Sequence, residues 1–224
     1  MTPQRGRNGR ITQIGAPWPV RVVGIGGTLR PNSTSLGALK RAVAAAAAAG
    51  ADTQVFDLRE LALPFYEPDR PLDAYGENVR RYLAAVHDAD GLLIATAAYQ
   101  GTLAGVTKNA IDFLEFLADA SPPYLDGKAV GLIATAAGSQ AAPNAIAPLV
   151  QATHALRAVA APFSVPIPET WKLTDANGDI VDPRYQARLD DLGRMVVDLA
   201  RRLRGDGIRH EPATTIETVV AASD

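Results

Sequence analysis

The feature that most constrains the fold of this chain is a regular alternation of short β-rich runs with longer helical runs. Parallel strands need crossover connections, which helices supply, so this order is typical of a parallel sheet covered by helices on both faces. We therefore predict an α/β fold with a doubly wound, five-stranded parallel sheet in a three-layer α/β/α arrangement. Strands are predicted over 20–25, 53–58, 91–96, 128–134 and 161–167, and helices over 35–49, 75–88, 102–118, 144–158 and 183–204.

The loops after the first, third and fourth strands are the expected ligand site, because such sheets bind ligands at the carboxyl ends of their strands. These loops are poor in charge. Residues 26–35 carry only Arg30, and residues 96–107 and 135–148 carry no charged side chain, although 21% of the chain is charged. The distribution favours a ligand with one anionic end and a broad uncharged body, such as a mononucleotide of a flat ring.

The first loop has the composition of a phosphate-binding site. Gly26 and Gly27 permit a sharp turn, and the helix that follows directs free N–H groups and its positive dipole end to the same place. Arg30 can add a charge-assisted hydrogen bond, and residues 26–35 contain no carboxylate. The alternative is that the polar side chains only cap the helix and that Arg30 is a solvated charge. The hydroxyl donors for a phosphate are Thr28, Ser33, Thr34 and Ser35.

Two known nucleotide motifs do not match this loop. A P-loop requires Gly-Lys-Ser or Gly-Lys-Thr before its helix, which the chain lacks. A dinucleotide fingerprint beginning at Gly24 places Leu29 at its third glycine position, and Asp57 is farther along the chain than the acid that binds the ribose. A classical NAD site is therefore not expected here.

The third loop, Ala97-Ala98-Tyr99-Gln100-Gly101, offers backbone N–H and C=O groups to the edge of a ring, and Tyr99 offers a face for packing. A tyrosine in a loop also serves as ordinary packing. For the fourth loop, over 135–140, tight packing of small residues is an alternative of nearly equal weight.

Composition excludes several classes of function. The net charge of −2 and the pI of about 5.9 do not suggest a surface for nucleic acid. The chain has no cysteine, which excludes thiol catalysis, disulfides and thiolate metal sites. The three histidines, His87, His154 and His210, are scattered, so no metal site is predicted, and His154 is interpreted as a packed or surface residue.

One domain over 20–204 is predicted, with a disordered N-terminal extension over 1–19 and a C-terminal tail over 205–224. No apolar run is long enough to cross a bilayer, and the arginine-containing start lacks the apolar core of a signal peptide. We expect a cytoplasmic protein without membrane or nucleic-acid partners.

Two motifs at this spacing resemble the NADPH-dependent FMN reductase family, which has the flavodoxin-like fold. The segment 27–33 resembles Gly-Ser-x-Arg-x-x-Ser, with Thr28 in place of serine. The segments 99–102 and 105–112 resemble Pro-Glu-Tyr-Asn-x-Ser followed by Pro-Gly and Leu-Lys-Asn-Ala-Ile-Asp. The resemblance covers about 20–204.

The resemblance implies a role for each loop in binding FMN. Lys108 and Asp112 are one helical turn apart and form a local ion pair in the simplest interpretation, although in relatives this helix often lies at a subunit interface. We expect a homodimer or a homotetramer built from dimers. The phosphate would be held by Thr28, Arg30, Ser33 and Ser35, the isoalloxazine bordered by Ala97, Ala98, Tyr99 and Gln100 together with Gly101, and the loop near the ring supplied by Gly138 and Ser139.

The chain departs from the family pattern in the second motif. Ala97 and Ala98 replace Pro and Glu, so any contact made by that glutamate side chain is absent. Gln100 replaces Asn, Ala104 replaces Pro, and Thr107 replaces Leu. The branch that supplies reduced flavin to monooxygenases tolerates a small or apolar residue at the glutamate position, but some of its members carry a tyrosine where this chain has Leu103.

The leading hypothesis is transfer of a hydride from NADPH or NADH to N5 of FMN, which then supplies reduced flavin to a partner monooxygenase. No catalytic residue is assigned, because the cofactor carries the chemistry. An alternative enzyme keeps FMN bound and reduces quinones, azo or nitro compounds, or chromate. Two alternatives outside catalysis are an electron carrier of the flavodoxin type, which the modest net charge disfavours, and a scaffold that binds no flavin.

Overall fold

A computed structural model describes residues 19–204. The predicted N-terminal extension, up to residue 18, and the predicted tail over 205–224 lie outside the described residues. The strands are β1 (Arg21–Gly26), β2 (Asp52–Asp57), β3 (Gly91–Tyr99), β4 (Thr102–Leu103), β5 (Ala129–Thr135), β6 (Val159–Ala160) and β7 (Val165–Ile167). The helices are α1 (Thr34–Ala48), α2 (Leu58–Leu61), α3 (Glu77–Asp88), α4 (Gly105–Asp112), α5 (Ala141–Ala155) and α6 (Pro183–Arg204), with 3₁₀ helices at Leu72–Ala74, Phe113–Leu117 and Thr170–Lys172.

The sheet has the predicted parallel, doubly wound topology. Its strand order is β2-β1-β3-β5-β6, and β7 also pairs with β5. This order is that of the flavodoxin-like fold, in which the chain reverses direction across the sheet between β1 and β3. The carboxyl ends of β1, β3 and β5 consequently lie side by side at one edge.

The fifth predicted strand is the main difference in the sheet. In place of one strand over 161–167, two short strands, β6 and β7, pair with successive parts of β5. Residues 161–164 between them are not strand, and they include Pro162, which has no N–H to donate to a ladder. A strand was correctly predicted in this part of the chain, but the prediction that it is continuous over 161–167 is wrong.

The third strand is longer than predicted. It continues through Tyr99 because β4 folds back and pairs with it, Ala98 opposite Leu103 and Tyr99 opposite Thr102. The turn between them has positive φ at Gln100 (46°) and at Gly101 (81°), as in a type I′ hairpin turn. Some of the backbone expected to be open to a ligand is therefore used inside this hairpin.

The helical layers follow the prediction with local changes. The predicted helix over 102–118 is wrong at its start, where Thr102 and Leu103 form β4, and its remainder consists of α4 and a 3₁₀ turn. Helix α5 begins three residues before the predicted start. The four-residue α2 was not predicted. Helices α1 and α6 pack on the face of the sheet formed by Val22, Leu93 and Ile133, and α3, α4 and α5 pack on the opposite face. The residues of that opposite face are Val23, Ile25, Leu92, Ile94, Val130 and Leu132.

Charged groups hold the amino-terminal edge of the sheet together. The Asp90 carboxylate accepts a hydrogen bond from the Arg21 backbone N–H (2.8 Å) and pairs with Arg204 at 3.4 Å. Buried Lys128 donates from Nζ to the carbonyl oxygens of His87 and Ala89, both at 2.7 Å, at the carboxyl end of α3. Burial lowers the pKa of Lys128 to about 8, although Asp90 opposes that shift.

Candidate functional site

The first loop turns sharply after β1, as its glycines predict. Gly27 has a φ of 102°, which L side chains rarely adopt. The chain then crosses to Ser33 and begins α1 at Thr34. The 15-residue helix is long enough to have a developed dipole, and its first turn contains no acidic residue.

Three of the four predicted hydroxyl donors are buried at this turn: Thr28, Ser33 and Ser35. Ser33 is the N-cap of α1, and its Oγ accepts a hydrogen bond from the backbone N–H of Leu36 at 3.4 Å. Its Oγ also lies 3.0 Å from Ser35 Oγ. The capping role considered as an alternative is therefore real for Ser33. This capping role is compatible with anion binding, because the remaining first-turn N–H groups have no partner within a helix.

Thr34 and Arg30 complete this side of the site. Thr34 Oγ1 lies 3.4 Å from Thr135 Oγ1 at the end of β5, which joins the first loop to the fourth. Arg30 donates its backbone N–H to Thr28 Oγ1 at 3.2 Å. The Arg30 side chain is exposed, and its guanidinium has no ion-pair partner among residues 19–204. It is therefore available to an anion from solution.

One carboxylate lies near the turn. Asp57 ends β2, and its Oδ1 is 3.2 Å from the point where a Cβ on Gly27 would lie. That oxygen accepts a hydrogen bond from the Arg59 backbone N–H at 2.9 Å and caps α2. The carboxylate is thus held by the next helix.

The end of β3 presents small side chains and one aromatic ring. Ala97 and Ala98 are half-buried, whereas Tyr99 is 43% exposed and Gln100 and Gly101 are exposed at the tip of the hairpin.

Beneath this hairpin, two buried hydroxyls hold the strand to α4. Thr96 Oγ1 lies 3.0 Å from Thr107 Oγ1 and accepts a hydrogen bond from the Ala104 backbone N–H at 3.0 Å. Thr107 stands where the family pattern has leucine, so this departure brings a polar contact into the base of the site.

The loop after β5 brings in a residue that the sequence interpretation missed. Gly138 and Ser139 are exposed in this loop. The carbonyl oxygen of Ala136 accepts hydrogen bonds from the backbone N–H (3.0 Å) and hydroxyl (3.2 Å) of Thr170. These bonds place Trp171, 67% exposed, at the same edge of the sheet. A tryptophan just after the last strand was the available signal.

The arrangement fits FMN by its donor set. Buried hydroxyls, a helix N-terminus and an unpaired arginine suit a phosphate. The neighbouring loops over 96–107 and 135–148 contain no charged side chain and suit a flat neutral ring. Among the described residues, no group of three or more His, Asp or Glu side chains could hold a metal ion.

Other features lie away from this edge. A cleft of about 330 Å³ lies at the opposite edge between β1, β2 and α3, and a groove of about 600 Å³ lies beside α6.

The predicted ion pair between Lys108 and Asp112 is formed on α4. His154 is exposed on α5. No helix within residues 19–204 is both long and apolar enough to span a membrane.

Comparisons with known proteins agree with this geometry. An NAD(P)H-dependent FMN reductase of Pseudomonas aeruginosa is 28% identical over 191 residues, which cover 83% of this chain and 98% of the relative. A 2-hydroxy-1,4-benzoquinone reductase of a Burkholderia species is 34% identical over 131 residues, covering 53% of this chain and 64% of the relative.

A solved structure supports the fold. The flavoenzyme NAD(P)H:(acceptor) oxidoreductase of Paracoccus denitrificans superposes with a TM-score of 0.62 at 22% identity, covering 81% of this chain and 97% of that one. The family model of the NADPH-dependent FMN reductases matches residues 20–172, from the start of β1 through the 3₁₀ turn that carries Trp171. With its sheet order and the two loop motifs in place, the chain belongs to that family and is an oxidoreductase that uses FMN and NAD(P)H.

Proposed function

We propose that this protein reduces FMN at the expense of NAD(P)H and releases reduced flavin to a partner monooxygenase. The observation that carries the proposal is the juxtaposition of a buried hydroxyl cradle, at the start of α1, with two uncharged loops at the same sheet edge. When bound, FMN supplies the redox chemistry, accepting a hydride at N5 from the nicotinamide.

The side chains of the first loop hold and orient the phosphate. Thr28, Ser33, Thr34 and Ser35 donate hydroxyl protons, and Arg30 adds a charge-assisted hydrogen bond from the solvent side. Ser33 can do this while it accepts the Leu36 N–H, because a hydroxyl both donates and accepts. These groups together hold the phosphate end of the ligand.

The third and fourth loops orient the ring. Ala97 and Ala98 let the ring approach the backbone closely because they have no long side chain. Tyr99, Gln100 and Gly101 lie at the tip of the hairpin, and Gly138 and Ser139 border the ring from the β5 side. No side chain is assigned a proton-transfer step, so binding geometry carries the protein's contribution.

The proposal is tested by the stoichiometry and the kinetics of flavin. Purified protein is assayed for oxidation of NADH and of NADPH with increasing FMN, and the retained flavin is measured by absorbance after gel filtration. Release of product predicts a colourless or weakly yellow protein and saturable stimulation by FMN. Absence of both FMN binding and NAD(P)H oxidation would contradict the proposal, and tight FMN without oxidation would indicate an electron carrier.

A second enzyme function is favoured by one relative. The similarity to a 2-hydroxy-1,4-benzoquinone reductase supports a version in which FMN stays bound and electrons pass to a quinone. A protein that retains stoichiometric FMN and reduces quinones faster than free FMN would favour this version. The same assay is repeated with azo compounds, nitro compounds and chromate as electron acceptors.

We also propose a cytoplasmic homodimer or homotetramer, since reduced nicotinamide nucleotides are supplied inside the cell. Phe65 is 84% exposed on a loop that Asn109 of α4 holds, through hydrogen bonds to Pro64 O (2.8 Å) and Tyr66 N (2.9 Å). We propose this exposed ring as a contact residue of the assembly. Light scattering of wild type and Phe65→Glu tests the assembly, and a monomeric wild-type protein would contradict it.

A further inference from the structure

A turn far along the chain packs on the phosphate-binding loop. We call residues 174–180, between the last 3₁₀ helix and α6, the DANGD turn after its central letters. Thr174 and Ile180 form an isolated antiparallel bridge. Asp175 Oδ1 accepts hydrogen bonds from the backbone N–H groups of Asn177 and Asp179, both at 2.9 Å. The turn is therefore closed by its own first carboxylate.

The contact between this turn and the first loop is close and specific. Asn32 Nδ2 donates to the carbonyl oxygen of Ala176 at 2.8 Å. A Cβ on Gly178, which has a φ of 86°, would lie 2.9 Å from the carbonyl oxygen of Asn32. A Cβ on Gly37 in α1 would lie 2.3 Å from the carbonyl oxygen of Gly178. Backbone thus meets backbone, which side chains at these glycines would prevent.

The turn is itself anchored to rigid parts of the molecule. Ile180 is buried in the core that contains Leu36 and Leu39 of α1. Its carbonyl oxygen accepts a hydrogen bond from Gln186 Nε2 of α6 at 2.8 Å. The turn therefore connects the exposed side of the first loop to two helices.

Asn32 directly precedes Ser33, the N-cap of α1. A contact that restrains the position of Asn32 therefore also restrains the position of the Ser33 hydroxyl. Residues 29–32 are otherwise exposed. The match to the family model ends at residue 172, before the turn begins.

We propose that the DANGD turn is a positioning element for the phosphate-binding loop and that it sets the preference for phosphorylated over unphosphorylated flavin. The turn acts through Asn32 and does not touch the ligand itself. This inference rests on the proposed function, because it assumes that the first loop binds the phosphate of FMN. The turn should therefore affect binding of the phosphate group and not binding of the flavin ring.

The test compares FMN with riboflavin, which lacks the phosphate. Asn32→Ala removes the bond to Ala176, and Asp175→Ala opens the turn without altering the loop. Each variant should bind FMN about three- to tenfold more weakly, the loss of one hydrogen bond, while riboflavin affinity stays unchanged. Asn177→Ala is the matched control, because within residues 19–204 the one hydrogen bond of its side chain is to Asp175, at 3.4 Å.

The outcomes separate the two proposals. If wild type binds FMN more tightly than riboflavin and Asp175→Ala has the same FMN affinity as wild type, the positioning role alone is overturned. If, in addition, only Asn32→Ala loses FMN affinity, Asn32 binds the phosphate directly. A parallel loss of FMN and riboflavin affinity also overturns it, since that indicates general damage. Wild type that binds FMN no better than riboflavin, or binds neither, overturns the phosphate site and the positioning role together.

Discussion

The two edges of the sheet use opposite chemistry. The amino-terminal edge uses charged groups: the Asp90 carboxylate pairs with Arg204 and accepts the Arg21 backbone N–H, and buried Lys128 donates to carbonyl oxygens of the α3 terminus. The carboxyl edge is held by hydroxyls and backbone, through contacts such as Thr34 with Thr135 and Thr96 with Thr107.

This difference indicates that the amino-terminal edge serves the stability of the fold, whereas the carboxyl edge must also leave groups available to a ligand. An ionic network next to the ligand would compete with a phosphate for Arg30 and would place fixed charge against a neutral ring. Hydroxyls both donate and accept, so they can support the loops and still bind a ligand. The edge that only has to hold the fold can use charges freely, including a buried one.

The largest effect expected from this comparison is the contribution of Lys128 to the pH dependence of the free energy of unfolding. Its native pKa of about 8 is below the unfolded value of about 10.4, so between these values the unfolded chain binds more protons and stability rises with pH. Wild type should gain about 2 to 3 kcal/mol relative to Lys128→Met between pH 7 and pH 10. Urea unfolding of both proteins across this range measures the difference, in which tyrosine titration largely cancels. Parallel curves would mean that the lysine is not held in an apolar site.

On the carboxyl edge, the corresponding test removes the positive charge of Arg30. Arg30→Ala should weaken FMN binding by roughly 1.5 to 3 kcal/mol, the range for hydrogen bonds to charged groups, with little change in stability. Flavin fluorescence titration measures the affinity. Arg194→Ala, an exposed arginine paired with Asp191 on α6, is the control and should bind as wild type does. Unchanged affinity in Arg30→Ala would remove this residue from the site.

The hydroxyl contacts predict a smaller loss. Thr107→Val keeps the shape of the side chain and removes its bond to Thr96, which still has the Ala104 N–H as a partner. We expect a loss of about 1 kcal/mol in the free energy of unfolding. Thr107→Leu should cost more, because the site is fully buried and must accept extra volume. A leucine variant as stable as wild type would show that the hydroxyl pair contributes nothing.

The smallest effect on stability is expected at Trp171. Its ring is mostly exposed, so Trp171→Ala should change the free energy of unfolding by less than about 0.5 kcal/mol. If the ring serves an incoming planar acceptor, KM for a quinone should rise about threefold, consistent with the loss of an aromatic contact. Trp171→Phe should restore most of the difference. An unchanged KM would assign the residue to the surface alone.

The fold was predictable because its signals are local and strong. Apolar runs such as 91–96 and helical spacing of apolar residues gave the alternation, and alternation restricts the topology. The break in the fifth strand could not be seen, because Pro162 excludes one ladder bond without saying where pairing resumes. The hairpin at Gln100 depends on β4, which has only two residues.

The sequence indicated which loops form the candidate site, but it did not indicate which residues contact one another there. The hydroxyls around Ser33 and the absence of charge identified the edge at which we propose that FMN binds. Thr170, Trp171 and the DANGD turn were missed, because contacts between distant segments place them: Thr170 bonds to Ala136, 34 residues away, and Ala176 bonds to Asn32, 144 residues away. Sequence spacing contains no direct information on such pairs.

The interruption between β6 and β7 has a consequence for assembly. A continuous outer strand would present a row of unpaired amide and carbonyl groups on which another molecule could extend the sheet. Here that row is two residues, a proline-containing gap and three residues. Copies of this protein should therefore not associate by joining strands at this border of the sheet.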